Sequence, residues 1–335
     1  MEKKKLHINL PDPFFKHDQL KGRFDALKEK YEVRTSSYNT HEEFQPDLAW
    51  PDAILMWSWP KFRDEEFATA KNLQFQGQIN TTRTTAEAAL KAGVPMSEAR
   101  HCWSPAVSEM ALTLILAGLR KTSQFHMEMR QGTESWVDAF PTDIDPQERR
   151  LTGRSVGIVG FGRIGQGLAD LLAPFHVKLK IYDPYLPAFV ATQYNATLTT
   201  VEDICATSEV VVLCAANTDD AEKVVNASHI NALQPGAILV NVGRSMLIDM
   251  DALLKRLQKG DITAMLDVFD QEPLEADSPF RTLKNAYLTP HRAGGIMESI
   301  TYALDVLVAD MEAQFAGKEL KFQVKESALP CFGEA

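Results

Sequence analysis

The sequence predicts an α/β fold: a doubly wound parallel sheet in one domain and a second, smaller α/β domain. Three observations support this prediction. From about Leu151 onward, short apolar runs alternate with helical patterns, which is the order of elements in a doubly wound sheet. A glycine-rich turn joins the first of these runs to a helical pattern. The first hundred residues repeat the same alternation more weakly.

Six apolar runs in the second half of the chain are predicted to be strands. Runs without polar alternation are typical of strands that are covered on both faces, as in a parallel sheet. The predicted strands are residues 156–160, 180–183, 210–214, 237–241, 264–267 and 286–289. Residues 249–259 are predicted to be a helix that ends at Gly260, because glycine readily follows the last turn of a helix.

The first hundred residues contain strand-like runs at 6–10 and 53–57, separated by a charged helical pattern at 19–31. An apolar helix is predicted at 106–121, at the junction between the domains. Residues 131–150 are polar and rich in Pro and Asp, and we expect an extended arm or loop there. The chain therefore divides near residues 104 and 105.

Composition excludes several classes of protein. The 335 residues carry 35 Lys and Arg against 45 Asp and Glu, a net charge of -10, so binding to nucleic acid or to an anionic membrane is not expected. The four cysteines show neither C-x-x-C nor metal-ligand spacing, which predicts no metal site and suits a reducing compartment. The N-terminus is predicted to be a strand and not a signal peptide. The longest apolar stretch, 110–119, is too short to cross a bilayer, and we predict a cytoplasmic protein.

The glycine-rich turn has the pattern G-x-G-x-x-G, formed by Gly160, Gly162 and Gly165. A predicted strand precedes it and a predicted helix follows. In this arrangement the first glycine makes the tight turn, the second lets the backbone approach a pyrophosphate, and the third allows close packing of helix on strand. The phosphates lie at the positive end of the helix. The turn predicts a dinucleotide site of the Rossmann type.

Asp183 ends the next predicted strand, 18 residues after Gly165. An acidic side chain at this position accepts hydrogen bonds from the adenosine ribose and repels a 2′-phosphate. The sequence therefore predicts NAD as the cofactor in preference to NADP.

Three polar side chains follow three successive predicted strands: Arg244, Glu272 and His291. Ligands bind at the carboxyl ends of strands in this fold, so we predict that the three lie together. His291 can donate the proton that a carbonyl needs when it becomes an alcohol. Glu272 beside it would favour the imidazolium and fix the ring. Arg244 offers a fork of N–H donors to a substrate carboxylate.

The chain resembles the D-isomer-specific 2-hydroxyacid dehydrogenase family, which includes D-lactate, D-glycerate, hydroxypyruvate and phosphoglycerate dehydrogenases. The resemblance covers roughly residues 51–295. It rests on four runs in order: 156–165 (VGIVGFGRIG), 236–244 (GAILVNVGR), 266–274 (LDVFDQEPL) and 288–291 (LTPH).

The resemblance implies an NAD-dependent oxidoreductase that moves a hydride between nicotinamide and a 2-hydroxy or 2-oxo acid. Arg244, Glu272 and His291 would be the catalytic residues. It also implies that residues 1–104 and 300–335 form a flavodoxin-like substrate domain and 105–299 the NAD-binding domain. The predicted partner is a second copy of the chain, with much of the contact from residues 106–150.

The motifs extend the predicted contacts. Beside the three glycines, Asp183 and His291, the predicted cofactor contacts are Arg163, Ile164, Thr218, Val242, Gly243, Asp267 and Gly294. Asp267 is expected to meet the nicotinamide carboxamide. The predicted substrate contacts are Gln78, Ile79 and Asn80, together with Arg244 and His291.

The sequence departs from the family pattern at three places. Ser245 replaces the glycine that usually follows the catalytic arginine, and residues 214–218 (CAANT) differ from the usual cofactor rim. The Gly-x-Gly loop that holds the substrate carboxylate is replaced by Gln78, Ile79 and Asn80. We therefore expect poor turnover of the smallest 2-oxo acids and a substrate with an additional polar or aromatic group.

Two alternatives remain from the sequence. An NAD-binding protein similar to the corepressors related to this family would keep the same residues without turnover, although no basic patch or interaction tail supports that role. A phosphite-type dehydrogenase would use much the same Arg and His. A formate enzyme is disfavoured, because its family members have Gln where this chain has Glu272.

Overall fold

The computed structural model describes residues 3–136 and 144–333, so part of the predicted arm at 131–150 lies outside the described residues. The chain divides into unit 1, Met1–Trp103 with Ile296–Ala335, and unit 2, Ser104–Gly295. Both boundaries between the units lie slightly before the predicted ones, and the positions of two helices explain this. Ser104 already begins a helix of unit 2, and the C-terminal helix of unit 1 begins at Met297. The predicted α/β fold class is confirmed.

Unit 1 contains a parallel five-stranded sheet in the order β2-β1-β3-β4-β5. Its strands are β1 Lys5–Asn9, β2 Glu32–Ser36, β3 Ala53–Met56, β4 Phe75–Gln78 and β5 Met96–Glu98. Its helices are α1 Asp12–Phe15, α2 Asp18–Lys30, α3 His41–Phe44, α4 Asp64–Thr69, α5 Arg83–Ala92 and, at the far end of the chain, α13 Met297–Phe315. All strand pairs are parallel.

The two faces of this sheet carry separate apolar cores. Leu55 and Phe75 pack with side chains of α2 and α13 on one face. Ile54 and Met56 pack with α4 and α5 on the other, as the alternation of side chains along a strand requires. Gly77 lets β4 come close to the first face, since a Cβ there would lie 2.7 Å from Leu55 and 3.3 Å from Leu307.

Unit 2 contains a parallel seven-stranded sheet in the order β12-β11-β10-β9-β6-β7-β8. Its strands are β6 Ser155–Val159, β7 Lys178–Tyr182, β8 Thr197–Leu198, β9 Val210–Leu213, β10 Ile238–Asn241, β11 Thr263–Leu266 and β12 Ala286–Leu288. Its helices are α6 Ser104–Arg120, α7 Thr122–Gln131, α8 Arg163–Leu172, α9 Ala188–Gln193, α10 Val201–Thr207, α11 Ala227–Ala232 and α12 Met250–Gln258. The six strands predicted for this region are present, and their carboxyl ends lie at one edge.

Helix α6 is the long apolar helix predicted at the domain junction. Within the described residues, Arg100–Arg120 is one segment that is long and apolar enough to cross a membrane by length and composition alone. The helix is a core element of unit 2. A Cβ on Gly118 would lie 3.2 Å from Ile238 and from Met265, and Ser108 donates to the carbonyl of Ile164 at 2.9 Å. A buried core helix satisfies the same length criterion.

Candidate active site

The glycine-rich turn connects β6 to α8, and one of its three glycines has free space beside its Cα atom. Gly160 has a φ of 91°, and a Cβ there would lie 2.3 Å from the Ala215 backbone. A Cβ on Gly165 would lie 2.5 Å from the carbonyl oxygen of Gly160. Gly162 differs, because a Cβ there would meet nothing within 4 Å. Gly162 precedes the first residue of α8, so the open space lies at the positive end of that helix, where a pyrophosphate fits.

Asp183 lies beside this turn, directly after β7. Its Oδ2 accepts the backbone N–H of Phe161 at 2.7 Å, and its Oδ1 accepts that of Tyr185 at 2.9 Å. Each carboxylate oxygen keeps capacity for a second donor, such as a ribose hydroxyl. The carboxylate thus holds the backbone of the glycine turn through its hydrogen bond with Phe161, in addition to its predicted role at the ribose. This contact with Phe161 was not predicted from the sequence.

A second acidic side chain faces the same loop. The hydroxyl of Tyr185 donates to Asp220, which follows β9. This hydrogen bond, followed by one from Thr218, lowers the pKa of Asp220. Because β6 lies between β7 and β9, the pair links the loops on either side of the glycine turn. Sequence reasoning named Thr218 and missed both Tyr185 and Asp220, which no motif marks.

The remaining predicted cofactor contacts lie at the same edge of the sheet. Arg163 and Ile164 form the first turn of α8. Val242 and Gly243 follow β10, where the Asn241 side chain accepts the N–H of Gly243 at 3.1 Å. Gly294 lies in the loop that follows β12. All of these residues belong to unit 2, and together they suit a dinucleotide.

His291 and Glu272 form a pair. His291 Nδ1 lies 2.6 Å from Glu272 Oε2, and Glu272 Oε1 accepts the backbone N–H of Phe269 at 3.0 Å. Partial burial by itself raises the pKa of Glu272, but the hydrogen bonds from His291 and Phe269 and the positive charge of Arg244 outweigh it, so the pKa lies below its usual value. The carboxylate is therefore ionised near neutral pH and can stabilise an imidazolium.

Arg244 follows β10 in an extended conformation with an exposed side chain. Its Nη1 donates to the carbonyl of Gly243 at 2.8 Å, which leaves further N–H donors of the guanidinium for a ligand. Because its charge lowers the pKa of Glu272, the guanidinium acts on the same site. The three predicted catalytic residues are thus brought together at one edge of the unit 2 sheet.

Asp267 holds the loop that carries His291. Its buried carboxylate accepts hydrogen bonds from the Thr289 hydroxyl at 2.5 Å and from the backbone N–H groups of Arg292 and Ala293 at 2.9 and 2.8 Å. Its backbone carbonyl accepts the N–H of His291 at 2.9 Å. His291 itself has a φ of 51°, a left-handed conformation that residues other than glycine seldom adopt. Asp267 therefore holds the residues before and after His291 by hydrogen bonds, an arrangement called the Asp267 clamp below. Sequence reasoning did not predict this role.

The predicted substrate residues lie in unit 1 and differ from the loop expected there. Gln78 is the last residue of β4 and is fully buried. Ile79 packs in the apolar core beside α2 and α13. Asn80 alone is partly exposed, and its Oδ1 accepts the indole N–H of Trp103 at 2.9 Å. Of the three predicted substrate contacts in unit 1, only Asn80 is therefore accessible, because Gln78 still belongs to β4 and Ile79 enters the core.

No cluster of three or more His, Cys, Asp or Glu side chains that could hold a metal ion occurs among the residues for which the structure gives positions. Cys205 and Cys214 are buried, and burial raises the pKa of each thiol to about 12.

Comparison with known proteins indicates the family of the chain. Residues 112–293 match the model described as "D-isomer specific 2-hydroxyacid dehydrogenase, NAD binding domain". A D-3-phosphoglycerate dehydrogenase of Methanocaldococcus jannaschii is 29% identical over 85% of this chain and 53% of its own length. A putative 2-hydroxyacid dehydrogenase of Bacillus subtilis, YoaD, is 30% identical over 78% of this chain and 76% of its own.

The fold is also that of solved structures. A 2-hydroxyacid dehydrogenase from Ketogulonicigenium vulgare superimposes with a TM-score of 0.79 at 23% identity, over 97% of this chain and 99% of that one. The chain spans about half the length of the phosphoglycerate dehydrogenase that it matches.

Proposed function

The chain belongs to the D-isomer specific 2-hydroxyacid dehydrogenase family, and from that membership we propose that it interconverts a 2-oxo acid and a D-2-hydroxy acid with NAD as the redox partner. The observation that carries the proposal is the 2.6 Å contact between His291 Nδ1 and Glu272 Oε2. This contact leaves His291 Nε2 available to a substrate oxygen.

The bound nicotinamide would supply the hydride for the carbonyl carbon during reduction and accept it in the reverse direction. His291 gives its Nε2 proton to the carbonyl oxygen, which becomes the hydroxyl, and takes the proton back during oxidation. Glu272 remains ionised, orients the ring through Nδ1 and stabilises the imidazolium. The N–H groups of Arg244 bind the substrate carboxylate and draw electron density from the carbonyl.

The cofactor would be held by the glycine turn and by Asp183. Its pyrophosphate would lie over Gly162 at the N-terminus of α8, and its ribose hydroxyls would donate to Asp183. Asp267 would meet the carboxamide only if its carboxylate accepts a further hydrogen bond beyond those from the loop at 289–293.

The test of the proposal is NADH oxidation with a panel of 2-oxo acids. Turnover of at least one acid is expected, and His291→Ala should lower kcat by roughly 10²–10⁴-fold while the Kd for NADH stays within a few-fold. NADH binding without any turnover would favour the corepressor-like alternative. Reduction of NAD by phosphite, with no activity on 2-oxo acids, would favour the phosphite-type alternative. Loss of NADH binding in His291→Ala would make His291 structural.

We also propose a cytoplasmic homodimer whose contact includes α7. Phe125, Met127 and Met129 on this helix are 37%, 51% and 51% exposed, and Trp136 beyond it is 68% exposed. Exposed apolar side chains this close together are typical of interaction surfaces. Light scattering should give twice the chain mass, and Met127→Lys should shift it towards one chain mass. A monomer in both proteins would refute the assembly.

A further inference from the structure

Four aromatic residues lie at the carboxyl edge of the unit 1 sheet. Phe14 follows β1, Trp57 and Trp59 follow β3, and Trp103 ends the short turn after β5. We call these four residues the aromatic shelf. In open α/β sheets, the carboxyl ends of the strands are where ligands bind.

Three rings of the shelf contact one another in a row. Phe14 stacks on Trp57 with centroids 5.3 Å apart and planes inclined by 23°. Trp57 meets Trp103 edge-on at 6.0 Å. The indole N–H of Trp103 then donates to Asn80, the one residue of 78–80 that is partly exposed. The aromatic row is thus joined directly to the proposed substrate loop.

The shelf is only partly absorbed into the core. Phe14, Trp57 and Trp103 pack against the core cluster but stay partly exposed, and Trp59 is 51% exposed. The Trp59 backbone is nevertheless fixed, since its carbonyl accepts the side-chain N–H of Asn9 at 2.8 Å. Several large rings held in place with exposed surface provide an apolar site at small entropic cost.

Gln78, the polar alternative, lies elsewhere. Alternation along β4 puts Gln78 on the same face as Gln76, which donates to Met56 on the α4 and α5 side. Trp57 and Trp103 belong to the core on the α2 and α13 side. A substrate group that meets the shelf therefore meets aromatic carbon and not the Gln78 amide.

We propose that the aromatic shelf binds the side chain of the substrate, and that this substrate is a 2-oxo acid with an aryl or bulky apolar group on carbon 3. The inference rests on the proposed function and names its substrate class.

The experiment compares phenylpyruvate with pyruvate, each with NADH, in the intact protein and in three variants. The intact protein should have a kcat/KM for phenylpyruvate at least ~10-fold above that for pyruvate. Trp59→Ala should lower the value for phenylpyruvate by ~10-fold or more and leave that for pyruvate within about 2-fold. Trp57→Leu should move the ratio in the same direction, and its Tm reports any loss of packing.

Trp50→Ala is the matched control. Trp50 lies just before β3, at the opposite end of the same strand, with the Arg34 guanidinium 4.0 Å from its ring. This variant should leave the substrate ratio unchanged. A protein that prefers pyruvate, or a Trp59→Ala variant that changes both substrates equally, would overturn the inference while the proposed function stands. Absence of turnover with every 2-oxo acid would instead refute the proposed function.

Discussion

Asp267 holds His291 in a left-handed backbone conformation, with its carbonyl oxygen 2.9 Å from the His291 nitrogen. The Asp267 carboxylate binds the residues on either side of His291. We therefore expect Asp267 to fix the backbone of His291 and Glu272 to orient its imidazole ring.

Asp267→Asn should disturb this clamp. The new amide N–H₂ would face N–H or O–H donors, so at least one hydrogen bond is lost and the loop shifts. Because small displacements of catalytic groups are costly, kcat should fall by up to ~10²-fold. Thr289→Val removes a single donor and should give a smaller loss. Initial rates and NADH titrations measure both variants. An unchanged kcat with a large rise in the Kd for NADH would assign Asp267 to the cofactor and not to the loop.

Glu272→Gln should move the pH profile. The amide keeps an acceptor for the Phe269 N–H but carries no charge, so the carboxylate that would stabilise a protonated ring is lost. The alkaline limb of kcat/KM for reduction should shift downward by about one pH unit or more. Glu275→Gln, an exposed change three residues along, serves as the control and should leave the profile in place. If the intact protein, Glu272→Gln and Glu275→Gln had the same pH profile, Glu272 would not stabilise the His291 imidazolium.

The same carboxylate predicts a change in acid stability. Hydrogen bonds from His291 and Phe269 hold the pKa of Glu272 below its usual value. Its contribution to stability is therefore present above that usual value and is lost as the pH falls through the lowered pKa. The difference in Tm between the intact protein and Glu272→Gln should therefore narrow on acidification below about pH 4. Calorimetry across this pH range measures the difference in Tm. A difference that widened in acid would show that the pKa of Glu272 is raised and not lowered by folding.

Gly162→Ala and Gly160→Ala should separate cofactor binding from folding. The added methyl at residue 162 meets open space, so Tm should stay within about a degree while NADH affinity falls at least ~10-fold. At residue 160 the methyl would overlap the Ala215 backbone in a left-handed conformation, so Tm itself should fall. Fluorescence titration and calorimetry on both variants measure this. Normal NADH affinity in Gly162→Ala would place the pyrophosphate elsewhere.

Asp183 should govern the choice between NADH and NADPH. Its negative charge predicts a preference for NADH of more than 10-fold in kcat/KM, or ~1.4 kcal/mol. Asp183→Asn keeps an acceptor oxygen and removes the charge, so the preference should shrink chiefly through a better KM for NADPH. Asp251→Asn on α12 is a suitable surface control. Equal use of both cofactors by the unaltered protein would contradict the assignment.

Gln78→Leu should raise the stability of the protein without a loss of activity. Neither amide atom of this buried side chain has a hydrogen-bond partner among the residues that the structure describes, and such a group costs about 1–3 kcal/mol. A leucine of similar size should therefore raise Tm by a few degrees and leave kcat/KM nearly unchanged, because the amide lies on the face of the sheet opposite the aromatic shelf. A lower Tm would show that the amide is satisfied in the folded protein.

The parts of the fold that the sequence predicted are those with strong apolar patterns. Strands such as β9 and β10 are buried along their whole length, and this burial produces the uninterrupted runs in the sequence. Strand β2 was not predicted, because its Glu, Arg and Thr side chains are those of an exposed edge.

Some parts of the candidate site could be predicted from the sequence and others could not. Arg244, Glu272 and His291 could be predicted because each follows a recognisable strand. The clamp by Asp267 could not, since it depends on backbone N–H groups of Arg292 and Ala293 that carry no sequence signature. The Tyr185 and Asp220 pair joins two loops 35 residues apart, and neither loop contains a motif that links them.

The return of α13 to unit 1 determines the order in which the protein can form on the ribosome. Leu304, Leu307 and Met311 of this helix complete the core beside Leu55 and Phe75, and buried Asp310 ties the helix to Ser97 and to the chain at Lys321. Unit 2 is continuous, so all of its residues emerge before the last piece of unit 1 is made. The nascent N-terminal sheet therefore keeps one apolar face uncovered until α13 has been made and has left the ribosome, and exposed apolar surface of this kind favours aggregation.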